Sequence, residues 1–206
     1  MPDYYIPLYP DNICHLLSHA VGDEKLFREP KNHDFFLKKY CEHISPVADT
    51  FCYNLLPNHF HFLVRIKGYN EIETHFKEKK KDKEFNPETV PDFIMERFSN
   101  WLNSYTKAFN KIYNRKGSLF IDYLRRVEIK KDGQFTDTIF YVHKNPVHHG
   151  YCKTISGWPG SSYNLLTSTE PTFLMRDEIM EWFGGRDQFL KYHDRPIDLK
   201  GGISLE

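Results

Sequence analysis

The run Leu55-Leu56-Pro57-Asn58-His59-Phe60-His61-Phe62-Leu63-Val64 places two histidines one residue apart in an apolar stretch. On a β-strand alternate side chains share a face, so His59 and His61 project together while Phe60 and Phe62 enter the opposite side. Two imidazoles roughly 6–7 Å apart along a strand can lean onto one cation, which is half of a metal site. The same pair also suits a half-exposed polar face laid over an aromatic core, and spacing alone leaves both readings open. As ligands, the two histidines should be exposed. They should then contribute less to stability than buried Phe60 or Phe62, whose truncation to alanine typically costs about 3–5 kcal/mol.

A second segment, Thr138-Ile139-Phe140-Tyr141-Val142-His143-Lys144-Asn145-Pro146-Val147-His148-His149-Gly150, offers an oxygen nucleophile. Cleaving a phosphodiester requires such an oxygen in line with the leaving oxygen, and neutralisation of charge on the non-bridging oxygens. Tyr141 can supply the first, although a phenol with a pKa near 10 is mostly protonated at neutral pH. A cation on His59 and His61 can supply the second as a Lewis acid. On a helix, Asn145 lies one turn beyond Tyr141 and on the same side. Pro146 disfavours helical backbone at Asn145 itself, so the spacing predicts Asn145 at a helix end. The plain alternative is that Tyr141, one of 13 tyrosines, packs beside Phe140 and Val142. His143, His148 and His149 read as phosphate contacts or surface residues rather than ligands.

Together the two segments resemble the HUH-type tyrosine transposases that act on single-stranded DNA, namely the REP-associated and single-strand insertion-sequence transposases. Residues 55–64 resemble the family's histidine-hydrophobe-histidine motif and residues 141–147 its nucleophile motif, in the family's order. Weaker matches lie at Phe109-Asn110, at Tyr113 to Phe120, and at Trp158-Pro159-Gly160-Ser161-Ser162-Tyr163. The likeness spans about residues 12 to 165.

The resemblance implies an enzyme in which Tyr141 attacks single-stranded or hairpin DNA. It would leave a 5′-phosphotyrosine link and a 3′-hydroxyl that can later rejoin strands. It also implies Asn145 as third metal ligand, its amide oxygen suiting Mg²⁺ or Mn²⁺ beside two imidazoles. Contacts to the DNA are expected from Asn103, Lys107, Asn110 and Lys111 along a helix, and from Arg115, Lys116, Arg125 and Arg126 around a turn and strand. One branch of the family works as a dimer and the other can work as a monomer, so a homodimer stays open. A domesticated protein that binds hairpin DNA without cutting it is the alternative of a different class. A two-histidine phosphoesterase is disfavoured, because that chemistry needs two His-x-Thr/Ser motifs and the chain does not carry two.

Composition sets outer bounds. Basic and acidic residues number 28 each, so net charge gives no support for nucleic-acid binding. Their distribution says more: Trp101 to Lys131 holds eight basic residues against Asp122 and Glu128, whereas Glu170 to Asp198 is acidic. A basic middle can face phosphates while an acidic tail faces elsewhere. The four cysteines lack Cys-x-x-Cys spacing, which argues for reduced thiols and against a zinc ribbon. With neither a membrane-length apolar run nor a signal-peptide layout, a cytoplasmic location is expected.

The elements that must position the candidate residues follow from hydrophobic patterning. A strand from Ile13 is followed by a helix carrying Phe35, Phe36, Leu37, Tyr40 and Cys41, then a strand over Val47 to Tyr53 and the histidine strand to Ile66. The charged segment Lys77 to Glu84 reads as a solvated loop or frayed helix, or else as a flexible arm over DNA. A helix from Asp92 to about Tyr113, a strand from Leu119 to Ile129 and a short helix from Phe135 to about Lys144 complete the pattern. This order predicts an α+β, ferredoxin-like sandwich, a central antiparallel sheet carrying helices on one face. Residues 1–165 would form this domain and 166–200 a small C-terminal helical extension, broken at Gly184-Gly185, with Trp182 and Phe183 packing back on the domain. Residues 201–206 would form a flexible tail.

Overall fold

The computed structural model describes residues 5–121 and 124–196. The expected flexible tail at 201–206 lies outside the described residues, as do residues 197–200. Four strands, β1 (Ile13–His19), β2 (Ala48–Leu55), β3 (His59–Ile66) and β4 (Arg125–Glu128), form one antiparallel sheet in the order β2-β3-β1-β4. With α1 (Pro30–Ile44) between β1 and β2, and α3 (Val90–Ile112) between β3 and β4, this is the ferredoxin-like arrangement that the pattern predicts.

Strand alternation gives the sheet two unlike faces. Phe60 and Phe62 point to one face, where Phe36 and Tyr40 of α1 and Trp101 of α3 pack on them and Tyr105 of α3 packs on Phe36. All six are at most 1% exposed. The polar tips find partners, as buried Tyr and Trp require: Tyr40 Oη lies 2.7 Å from Thr50 Oγ1, and Trp101 Nε1 donates to Phe36 O.

The other face is covered too, which differs from the single helical layer expected. Helix α4 (Asp132–His148) lies across β2 and β3 there, with Phe135 edge-on to Phe51. It is longer than the pattern predicts and passes through Pro146, so Asn145 sits inside its last turn. A proline at 146 has no N–H for Val142 O, four residues back. Asn54 Nδ2 donates to that carbonyl at 2.7 Å. The strand therefore supplies the hydrogen bond that the proline removes.

Three further differences have local causes. Helix α2 (Tyr69–Lys79) occupies part of the charged stretch read as loop, because Ile72, His75 and Phe76 bury one side of it. The last strand shrinks to β4, Phe120 making only an isolated bridge to Ala20. The Trp158-to-Tyr163 motif is architectural: it docks on the β2 edge through Leu55 N to Gly160 O, Trp158 Nε1 to Leu55 O, and Ser162 N to Tyr53 O. A Cβ on Gly160 would stand 2.5 Å from Leu55 O, so only glycine fits there.

Beyond it run α5 (Tyr163–Thr167), α6 (Arg176–Phe183) and α7 (Arg186–His193), the last two divided at Gly184 and Gly185, both with positive φ. Trp182 packs on Phe135, and Phe183 on Phe189 and Tyr192. The four cysteines are free, two of them buried. Among the described residues no helix is long and apolar enough to cross a membrane.

Candidate active site

His59 and His61 leave β3 on the face covered by α4, and the register puts His15, Leu17 and His19 of β1, Asn54 of β2 and Arg125 of β4 on that same face, with Leu17 and Asn54 opposite His61 and His19 opposite His59. Contrary to the exposed pair expected, His59 is 2% and His61 0% exposed, because α4 closes over them. Burial holds His61 well below its ordinary pKa, with His15, His59, His19 and His149 opposing a further positive charge. Burial likewise pushes His15 down to about 3. Neutral rings keep the lone pairs that a ligand needs.

The ring nitrogens are disposed unequally. His59 Nδ1 lies 2.8 Å from Asn58 Oδ1, an atom that can only accept, so Nδ1 carries the proton and Nε2 the lone pair. That Nε2 faces another acceptor, Asn145 Oδ1, at 3.4 Å. Adjacent ligands of one octahedral ion with bonds of about 2.0–2.1 Å stand about 3 Å apart. His61 Nδ1 lies 3.0 Å from His15 Nε2, and His61 Nε2 is buried with no hydrogen-bond partner. The His15 and His61 rings are within 5° of parallel with centroids 5.1 Å apart. With nitrogens this close, they lie edge to edge in a common plane rather than face to face.

Tyr141 projects from α4 on the same side as Asn145 and stands perpendicular to both rings, its centroid 5.7 Å from that of His61 and 6.0 Å from that of His15. Among the described residues no three His, Cys, Asp or Glu side chains could hold a metal ion. Two imidazoles and the Asn145 amide oxygen are the donor set that fits a hard divalent cation.

The expected DNA contacts divide. Asn103, Lys107, Lys111 and Lys116 are exposed, the first three on α3 behind the opposite sheet face. The Ala20–Phe120 bridge brings the chain just after Lys116 to the end of the sheet that holds His19 and His59. Asn110 and Arg115 instead build the turn after α3: Asn110 Nδ2 donates to Gly117 O, and Arg115 bonds Asn110 Oδ1, Ser118 O and Glu24. Adjacent arginines part company on β4. Arg125 shares the histidine face, while Arg126 turns to the other face and reaches Met95 Sδ, 8% exposed.

His143, expected at a surface, is fully buried between His193 Nε2 and Ser162 Oγ, each 2.9 Å away. Sequence reasoning missed His15 and His19, for which strand alternation over His15, Leu17 and His19 was the available signal. His149, exposed at the end of α4, brings its ring within 5.1 Å of His59.

No family profile matches the chain. A Haemophilus influenzae protein named, provisionally, as a REP-associated tyrosine transposase is 25% identical over 135 residues, 65% of this chain and 68% of that protein. The chain is related to the REP-associated tyrosine transposases. A solved REP-associated tyrosine transposase, bound to a REP hairpin, shares the fold with a TM-score of 0.60 over 83% of this chain and 89% of its own, at 14% identity. Relationship to these transposases and the presence of a four-stranded antiparallel sheet with flanking helices thus agree.

Proposed function

We propose that this protein is a DNA transposase of single-stranded or hairpin DNA, with Tyr141 as nucleophile and a divalent cation, Mg²⁺ or Mn²⁺, held by His59, His61 and Asn145. The observation that carries the reading is a buried cluster of facing acceptors, His59 Nε2 against Asn145 Oδ1 with the unpartnered His61 Nε2 nearby, directly beside Tyr141. A bound cation would polarise the scissile phosphate and help to orient it. Tyr141 loses its phenolic proton and its oxygen bonds to phosphorus. The bond to the 3′-oxygen breaks, and that oxygen takes a proton to become the 3′-hydroxyl. The 5′ side stays on the protein as phosphotyrosine. Attack by a 3′-hydroxyl on that link reverses the balance and joins strands without another energy source. A cytoplasmic location accords with this activity.

Incubation of a labelled single-stranded hairpin with the protein and Mn²⁺ should give a covalent adduct that survives denaturation, absent in Tyr141→Phe. An equal yield from Tyr141→Phe overturns the assignment. His59→Ala and His61→Ala should lose the adduct yet keep most hairpin affinity, which comes mainly from phosphate contacts elsewhere. Because both rings are buried, folding of these variants is checked by thermal melting.

A further inference from the structure

A groove of about 730 Å³ opens on the flank of α4, between the start of the chain's 153–156 turn and the end of α7. Four cations line it, Lys144, Lys153, Lys191 and Arg195. Lys144 is the unusual one: it is 5% exposed, and its Nζ lies 4.6 Å from the Phe140 ring with no ion pair or hydrogen bond to it among the described residues. Arg195 lies over the same ring at 4.2 Å and pairs with Asp137 at 2.7 Å, so the neighbouring carboxylate is already engaged. The stem of Lys144 is packed away while its ammonium opens on the groove without an ion pair among the described residues, an arrangement suited to an anion that enters there. Val147, Ile155, Leu190 and Pro196 give the groove an apolar wall, Thr154, Ser156, Tyr163 and His193 add polar groups, and Asp194 is the one carboxylate against the four cations; the space far exceeds one phosphate.

We propose that this groove binds a nucleotide unit of a nucleic-acid strand, its phosphate on Lys144, Lys153 and Lys191 and its sugar and base against the apolar wall. The claim rests on the transposase reading for its substrate. Lys144 stands three residues after Tyr141, about 60° around the helix, so a strand attacked at Tyr141 can continue onto the adjacent flank of α4. The acidic balance of residues 170–198 hid this feature in the sequence.

Fluorescence anisotropy of a labelled single-stranded oligonucleotide on the full chain, across a range of KCl, tests it. Lys144→Gln and the double variant Lys153→Gln/Lys191→Gln should each bind several-fold more weakly. Each lost phosphate contact should also flatten the dependence of log affinity on log salt by about 0.7. The second variant changes only exposed side chains and carries the test if Lys144→Gln folds poorly. Unchanged affinity and slope in both overturn the proposal. So does a groove that binds a free mononucleotide, lost in Lys144→Gln, while strand affinity stays the same. The transposase reading fails separately: no adduct at Tyr141 with reduced strand affinity in the lysine variants would leave the groove assigned and the chemistry wrong.

Discussion

At the scale of residues, His61 is a ligand candidate whose chemistry is decided by a neighbour 46 positions earlier. A neutral imidazole has one N–H, so Nε2 can face a cation only if Nδ1 carries the proton and donates to His15 Nε2, 3.0 Å away. His15 is thus a positioning residue, fixing the tautomer and plane of His61 as second-layer partners of metal-binding histidines do. His15→Leu should weaken Mn²⁺ affinity about 10–100-fold, measured by titration calorimetry without DNA, and His15→Gln, which restores an acceptor, should recover part of it. Equal affinity in His15→Leu would refute the role. The His-x-His pair and the Tyr141–Asn145 spacing were legible because each lies within one element. His15 was not, because only strand register joins it to His61. Arg125 and Arg126 show the same limit from the other side, adjacent in sequence yet on opposite faces of the sheet.

At the scale of elements, strand order was legible from alternating and helical patterning, but the path of α4 was not. A proline at 146 argues for a helix end, and the sequence offers no sign that a side chain of β2 replaces the lost bond. Asn54 does so from the position paired with His61, so the tether also fixes α4, and with it Tyr141 and Asn145, against the histidine strand. Asn54→Leu leaves Val142 O buried without its donor, at a cost of about 1–3 kcal/mol. In Pro146→Ala the restored N–H can reach Val142 O along the helix. The double variant Asn54→Leu/Pro146→Ala should therefore lose less stability than the sum of the single changes, as read from denaturant midpoints. Strict additivity would show that the two residues do not share this carbonyl.

At the scale of the whole molecule, the C-terminal helices join the domain through a buried histidine pair, and this makes their docking sensitive to acid. His193 bonds His143 Nδ1 at 2.9 Å and lies 2.8 Å from Phe189 O, with Lys144 of α4, Tyr163 of α5, Phe183 of α6 and Tyr192 and Arg195 of its own segment around it. Burial pushes its pKa down from 6.5 to about 4, with Arg195 and Lys144 adding to the effect. The folded value lies below the unfolded one, so the unfolded chain takes up a proton that the native protein refuses. The contribution is complete above pH 6.5, falls as the pH drops from there towards about 4, and then levels off. Its size is on the order of 3 kcal/mol. Other buried histidines give a similar fall, so the informative quantity is a difference. Between pH 7.5 and 4.5, His193→Gln should lose less thermal stability than the unmodified protein, because glutamine keeps hydrogen-bonding groups but takes up no proton. Parallel curves would show that His193 is not held neutral by its burial, and that the acid response of the fold arises elsewhere.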